Sequence, residues 1–202
     1  AVKFQTMLHQ TWQTTLKQLE RRFTAETYHN RIEAIRQQTG DVQQQALIEL
    51  TQEGEELDLK LVSRNDEHCF IPVQYIDDKV LEMTQADINA LSSKERSEIN
   101  ANIRHMDKKL ERLGMHLGDL EEDARDKVQV LNRDIAKQVL LPKVEQLLTK
   151  FAEVEGLKDY LKYYAEDIIN NVEVVLEQEE DDFTPGLFSR IPSRYQANVI
   201  VS

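Results

Sequence analysis

The stretch 92–140 contains no proline and constrains the fold of this chain more than any other. Its apolar residues recur in steps of four and three, the heptad spacing that places one narrow seam against a partner helix. These positions are Ile99, Ile103, Met106, Leu110, Leu113, Leu117, Leu120, Ala124, Val128, Leu131, Ile135 and Val139. Two successive steps of four between Leu120 and Val128 indicate a stutter, which locally unwinds a supercoil. The stretch predicts one helix over 93–140, roughly 70 Å long, which needs partner helices of similar length.

The start of this helix carries a capping signal. The hydroxyl of Ser92 can accept a hydrogen bond from a first-turn amide, and Glu95 can reach back to the amide of Ser92. Together they form a capping box, which fixes where the helix begins.

The composition favours extended helical structure over a rounded globule. Of 202 residues, 40% are hydrophobic and 31% charged but only 6% aromatic, so any core is thin. We expect a mainly α fold, an elongated antiparallel helical bundle or coiled-coil arm with a small β-hairpin. The net charge of -12 argues against a nucleic-acid partner, because phosphate binding needs a basic surface. No apolar run approaches the ~20 residues of a membrane span and no signal peptide opens the chain, so we expect no membrane partner and a cytoplasmic location.

Shorter helices are predicted on both sides of the long one. Their ranges are 3–22, 24–53, 84–91, 143–152 and 157–176. Pro142 is expected to kink or end the long helix, because it lacks an amide hydrogen and its ring clashes with the preceding turn. A break at Thr39 and Gly40 and a continuous helix over 24–53 both agree with the pattern.

The helix over 24–53 has a heptad seam of its own. Its positions are Tyr28, Ile32, Ile35, Thr39, Val42, Ala46 and Leu50. We expect this helix to pack antiparallel to the long helix within one chain. Closing the intervening loop of roughly 40 residues costs a slowly growing entropy, whereas dimerisation also costs translational freedom. The chain is therefore expected to be a monomer.

Residues 57–81 predict a β-hairpin, because Leu57, Leu59 and Leu61 alternate with polar residues. Pro72 is expected to push the returning strand to an edge. Beyond the last helix, the acidic run 177–182 is expected to be a solvated linker, and residues 195–201 alternate like a strand. We expect a helical domain over 1–176, and over 177–202 a linker and a strand that returns to the core of a larger protein.

No catalytic, cofactor-binding or metal-ligating constellation is predicted. The sequence contains no phosphate-binding loop, no pair of histidines at helical spacing and no Gly-x-Ser-x-Gly motif. His105 and His116 lie about three turns apart on the long helix and cannot share a metal ion. Cys69 is expected to be a buried strand residue. Gly114 and Gly118 indicate either a close helix contact or a flexible point.

Apolar residues outside the helix seams are candidates for contact with a protein substrate. Phe70 and Tyr75 belong to the hairpin, and Met115 lies off the seam of the long helix. A hairpin edge can pair with the backbone of an unfolded polypeptide, and methionine can pack on varied side chains. The alternative is that the hairpin only covers the ends of the helices.

Several segments together resemble the LonB-like group of Lon-related ATP-dependent proteases, which carry a large insertion in the AAA+ module. These segments are 23–28, 72–81 with its Asp-Asp-Lys turn, 91–99, 160–161, 166–168, 170–171 and 194–201. The resemblance covers nearly the whole chain and rests on the order and spacing of the segments. It implies that the chain is the helical insert between the nucleotide-binding loop and the Mg²⁺-binding strand of a larger parent protein.

The resemblance further implies a non-catalytic domain that handles or gates unfolded or tagged protein substrates. ATP, Mg²⁺, the Ser-Lys dyad of a serine protease and a homohexameric ring would belong to the parent protein, and no cofactor to this chain. Two other interpretations remain open. One is a free-standing coiled-coil scaffold that dimerises through the 99–139 seam. The other is an autonomous enzyme, which the missing motifs disfavour.

Overall fold

A computed structural model describes residues 2–64, 67–77 and 79–173 of the chain. The elements in chain order are α1 (Val2–Phe23), α2 (Glu26–Glu55), β1 (Leu59–Arg64), β2 (Glu67–Ile76), β3 (Lys79–Glu82), α3 (Gln85–Ala90), α4 (Ser93–Lys150) and α5 (Leu157–Asn170). The expected mainly α fold with a small β element is confirmed. The acidic run 177–182 and the predicted strand at 195–201 lie outside the described residues. None of the described helices is long and apolar enough to cross a membrane.

The prediction that the long helix ends near Leu140, with a separate helix over 143–152, is wrong, whereas a kink at Pro142 stays a prediction. One helix of 58 residues runs through the proline to Lys150. Val139 and Leu140 before the proline, and Val144 and Leu147 after it, are all buried in one core. Burial of each such side chain contributes about 1.5–3 kcal/mol, whereas a proline in a helix interior costs about 3 kcal/mol. Packing on both sides of Pro142 therefore outweighs the lost hydrogen bond.

The helix α2 is continuous through Gly40, which resolves the choice between a break and one helix. Its predicted seam needs one correction, because Val42 is 43% exposed and Gln43 takes the half-buried position. Thr39, Gln43, Ala46 and Leu50 follow one another in steps of four, three and four. This order returns to the same face of a helix with 3.6 residues per turn.

The chain divides into two compact units, one of Ala1–Ile35 with Arg125–Ser202 and one of Arg36–Ala124. In the first unit, α1 and α5 pack with the C-terminal part of α4 around one apolar core. The rings of Phe4 and Phe151 meet edge to face at 5.2 Å, and those of Trp12 and Tyr164 at 6.0 Å. Asn132 is buried here, accepts from the Tyr28 hydroxyl and donates to Glu173.

The second unit holds the three-stranded antiparallel sheet, in the order β1-β2-β3. Its core consists of Leu50 from α2, Leu59 and Phe70 from the sheet, and Met106 from α4. Met106 is fully buried within the single chain. This part of the α4 seam is therefore occupied by residues of the same chain.

Each unit contains a contact between α2 and α4, which confirms that these helices pack within one chain. Tyr28 meets Asn132 in the first unit, and Glu53 forms an ion pair with Lys109 in the second. The antiparallel orientation of the two helices along their full length stays a prediction.

Candidate functional site

The strand β2 is shared between two partners along its length. Residues 67–72 pair with β1 and residues 73–76 pair with β3, both antiparallel. Pro72 was expected to push its part of the strand to an edge, and residues 67–72 do pair with one strand only, although β2 is the middle strand of the sheet as a whole. The Val73 amide bonds to the Asp58 carbonyl, so the next pair along the ladder, Pro72 opposite Leu59, is a pair without hydrogen bonds. Proline is tolerated at this position because no bond to β1 is lost.

Two backbone hydrogen bonds fix which groups of β3 face outwards. The Val73 amide donates to the Asp58 carbonyl at 2.9 Å, and the Met83 amide donates to the Pro72 carbonyl at 3.0 Å. Hydrogen-bonded and non-hydrogen-bonded pairs alternate along an antiparallel ladder. Val73 therefore lies opposite Glu82 in a non-hydrogen-bonded pair, and Tyr75 lies opposite Val80 in another. The backbone groups of Val80 and Glu82 consequently point to the outer side of β3.

All four residues of β3 are exposed, and two of them are large and apolar. Val80 is 48% exposed, and Tyr75, which lies directly opposite on the same face, is 57% exposed. Leu81 and Ile76 add exposed apolar surface on the other face of the hairpin. We call the outer backbone edge of Lys79–Glu82, together with the Tyr75 and Val80 side chains, the β3 edge. No other strand among the described residues pairs with this edge, which combines outward backbone donors and acceptors with an adjacent apolar pair.

Both ends of β3 are held by local contacts. At its N-terminal end, Asp77 has a φ of 50°, a left-handed conformation that suits a tight hairpin turn. After its C-terminal end, Thr84 and Asp87 form the capping box that starts α3. The hydrogen bonds from the Thr84 side chain and backbone lower the pKa of the Asp87 carboxyl. These contacts position the exposed strand without covering its outer side.

Beyond the end of β3, α4 covers at Phe70 the side of β2 that faces away from β1. The phase of the ladder directs the Phe70 amide away from β1, and it lies 3.5 Å from Oδ1 of Asp107 on α4. The Phe70 ring is only 3% exposed and packs on Gly54. The expectation that Phe70 forms part of an exposed contact surface is therefore wrong. Its ring belongs to the core beneath the sheet.

The third candidate contact, Met115, is 61% exposed on α4. It lies eight residues, or about 12 Å of helix, beyond Asp107. A Cβ at Gly114 or Gly118 would meet nothing within 4 Å, so the interpretation of a close helix contact at these glycines is wrong. The interpretation of a flexible point stays a prediction. Tyr75 and Met115 are both accessible, but nothing brings them into one constellation.

The titratable residues singled out in the sequence do not assemble into a site. Within the described ranges, no group of three or more His, Cys, Asp or Glu residues is placed to hold a metal ion. His105 and His116 are exposed, and Cys69 is half-buried in β2. Sequence reasoning missed Val80 as a contact residue. The sequence signal that could have identified Val80 is the short Asp-Asp turn. A turn of this length determines which residue pairs of the hairpin are hydrogen-bonded, and therefore that the Val80 amide points outwards.

Comparisons with known proteins yield no relative. No protein-family model, no curated protein and no solved structure matches the chain. The resemblance to Lon-related proteases accordingly stays a prediction.

Proposed function

We propose that this chain is a non-catalytic helical domain that binds unfolded protein substrates at the β3 edge. The observation that carries the proposal is the exposure of all of β3, with the Val80 and Glu82 backbone groups directed away from the sheet. An extended polypeptide can add a strand to such an edge, so that main-chain hydrogen bonds supply affinity without demanding one sequence. The apolar pair Tyr75 and Val80 can pack on alternate side chains of the added strand.

A short edge strand with charged residues also protects a sheet from unwanted pairing. In β3, Lys79 and Glu82 supply such charges, and Glu82 forms an exposed ion pair with Arg64 at 2.8 Å. Exposed pairs of this kind contribute only about 0–1 kcal/mol. The ion pair is therefore too weak to keep an extended polypeptide from the edge, and Val80 between these charges offers the apolar contact.

The proposal also concerns the larger protein to which this domain would belong. The segments quoted from the sequence support a place within a Lon-related ATP-dependent protease, where ATP, Mg²⁺ and the Ser-Lys dyad would belong to other parts of the protein. In that setting, the domain handles unfolded or tagged substrates in the cytoplasm. A non-catalytic role predicts that the chain by itself neither hydrolyses ATP nor degrades casein. Measurable turnover in either assay would overturn it.

The binding claim is tested with Val80→Pro, matched with Val80→Thr. The Val80 amide points outwards, so proline removes the free donor without removing a bond to β2, a position where edge strands tolerate proline. Threonine keeps both the amide and the β-branched shape. Affinity is measured by fluorescence anisotropy of a labelled, permanently unfolded polypeptide of low net charge. Loss of one hydrogen bond predicts about fivefold weaker binding for Val80→Pro.

The matched variant Val80→Thr is expected to bind within about twofold of the unmodified chain, because its side chain keeps most of the contact. Tyr75→Ser, which removes the exposed ring, is expected to weaken binding about threefold or more. Circular dichroism confirms that each variant is folded. If all three folded variants bind the polypeptide as tightly as the unmodified chain does, the contact lies outside the β3 edge and the proposal is wrong.

A further inference from the structure

A groove runs between α1 and α4 in the first unit, far in sequence from the β3 edge. Two concave volumes of about 500 Å³ each share Gln18, Gln138 and Val139, so they form one continuous depression. All its lining residues belong to the same compact unit. We call it the basic groove, because the charged side chains among the described lining residues are all cationic.

The cations are Arg21 and Arg22 on α1, and Lys143 and Lys150 on α4. None of the described residues that line either volume carries a carboxylate, although the chain has a net charge of -12. Within the described ranges, none of the four makes an ion pair. An acidic protein thus keeps a strip of uncompensated positive charge along one groove.

Lys143 is the most informative of these cations. Its side chain is half-buried, and burial lowers its pKa because removing water disfavours the charged form. A partly desolvated cation is stabilised when an anion replaces the lost water. The groove therefore offers a charge that gains more from an anionic ligand than a fully solvated lysine would.

The backbone of the groove wall also contains an acceptor that lacks its regular donor. Pro142 has no amide hydrogen, so the Gln138 carbonyl cannot receive the usual bond from the residue four positions later. Gln138 and Pro142 both line the groove, as do the amide side chains of Gln18 and Gln146. Amide side chains offer both a donor and an acceptor, the complement of a peptide group. The groove thus contains both positive charges and hydrogen-bonding groups that can bind a peptide backbone.

We propose that the basic groove binds an extended acidic segment of a partner protein. Carboxylates of the segment would pair with Lys143 and with Arg21 and Arg22, and its backbone would bond to the glutamine side chains and the Gln138 carbonyl. A nucleic acid is the less suitable polyanion, because four cations on a chain of charge -12 give too little basic surface to hold a phosphate backbone. The proposal does not depend on the β3 edge.

The test uses the full chain and three labelled probes, with binding followed by fluorescence anisotropy. The first probe is a twelve-residue peptide rich in glutamate, the second has glutamine in place of each glutamate, and the third is a single-stranded RNA of similar length. We expect the glutamate peptide alone to bind, and its affinity to fall about tenfold or more between 50 and 200 mM salt, since screening weakens ion pairs. Tighter binding of the RNA or equal binding of the glutamine peptide would overturn the proposal.

Lys143→Gln is the decisive variant, and Lys17→Gln is its matched control. Lys17 lies on α1, is exposed and does not line the groove, so both changes remove one positive charge from the same unit. We expect Lys143→Gln to weaken binding about fivefold or more, and Lys17→Gln to change it less than twofold. Arg22→Gln, on the opposite wall, is expected to behave like Lys143→Gln. If the groove variants and the control lose affinity equally, the effect reflects only the change in net charge, and the proposed binding site is wrong.

The acidic run 177–182 of the chain has the same chemistry as the proposed partner. A further variant therefore replaces its acidic residues with Gln and Asn in the full chain. Binding of the glutamate peptide by the unmodified chain, with unchanged affinity in this variant, supports an external partner. Binding that appears only in the variant would assign the groove to the chain itself and overturn the proposal.

Discussion

Gly54 and Phe70 lie so close together that the Phe70 ring occupies the space that a Cβ at position 54 would fill. The helix α2 was expected to end at residue 53, yet it continues through Gly54 to Glu55. The glycine is required by close approach of a strand side chain to the helix backbone. Residues sixteen positions apart in the chain thus set each other's size.

This relationship predicts that Gly54→Ala destabilises the protein. Overpacking a buried contact costs typically 1–3 kcal/mol, which exceeds the ~1 kcal/mol that alanine gains over glycine within a helix. The free energy of unfolding is measured by urea denaturation. In a protein that already carries Phe70→Leu, Gly54→Ala should lower the free energy of unfolding by less than it does in the unmodified protein, because the smaller side chain leaves room for the new methyl group. Purely additive effects of the two changes would contradict the steric explanation.

Gly114→Ala is the matched control, with the opposite expected sign. A Cβ at this position meets nothing within 4 Å, so only the helix propensity changes. We expect stabilisation by about 1 kcal/mol. A destabilised Gly114→Ala protein would show that α4 makes a contact at this point that the single chain does not contain.

The capping box at the start of α4 predicts a pH dependence. Hydrogen bonds from the Ser92 side chain and backbone lower the pKa of Glu95 below its usual value of 4.5. A lowered pKa in the folded state means that the carboxylate stabilises the helix start above pH 4.5, and that this contribution is lost as the pH falls through the lowered pKa. Carboxyl-carbon NMR titration should give a value below 4.5, and Ser92→Ala should raise it. The neighbouring Ser93→Ala serves as control and should leave it unchanged.

The buried Asn132 predicts energetic coupling within the first unit. It accepts from the Tyr28 hydroxyl at 3.0 Å and donates to Oε1 of Glu173 at 3.1 Å. Tyr28→Phe and Asn132→Leu should each lower the free energy of unfolding by about 1–3 kcal/mol, because each removes a hydrogen bond between part-buried side chains. The double variant should lose less than the sum. Strict additivity in denaturation experiments would show that the two residues are energetically independent.

Occupation of the α4 seam within one chain predicts a monomer. Leu113 packs against the core that contains Leu50 and Met106. Leu113→Asp should therefore lower the stability of the second unit. The folded protein should sediment as a monomer both with and without this change. A tight dimer that Leu113→Asp converts into a stable, folded monomer would instead favour the scaffold interpretation.

The parts of the fold that could be predicted from sequence are those set by local periodicity. Each seam position of α4 from Ile99 to Val139 is buried or half-buried, because a repeat of four and three residues fixes one face of a helix. The capping box at Ser92 and Glu95 was also predicted, since its partners are three residues apart. The passage of α4 through Pro142 was not, because it depends on core packing contributed by α1 and α5.

The candidate site was only partly predictable for a similar reason. Tyr75 and Met115 are exposed as expected, but burial of Phe70 depends on Gly54, which belongs to another element. Val80 was missed because its role depends on the direction of its amide. That direction follows from the hydrogen-bond phase of the β2–β3 pair, which hydrophobic patterning does not encode.

Amide hydrogen exchange of β3 tests the central claim most directly. Exchange at individual residues is followed by NMR, with and without a saturating unfolded polypeptide of low net charge. Strand addition to the β3 edge predicts slower exchange at Val80 and Glu82, whose amides face outwards, and little change at Leu81, whose amide already bonds to Gln74. Unchanged exchange at Val80 and Glu82 in the bound state would contradict the account.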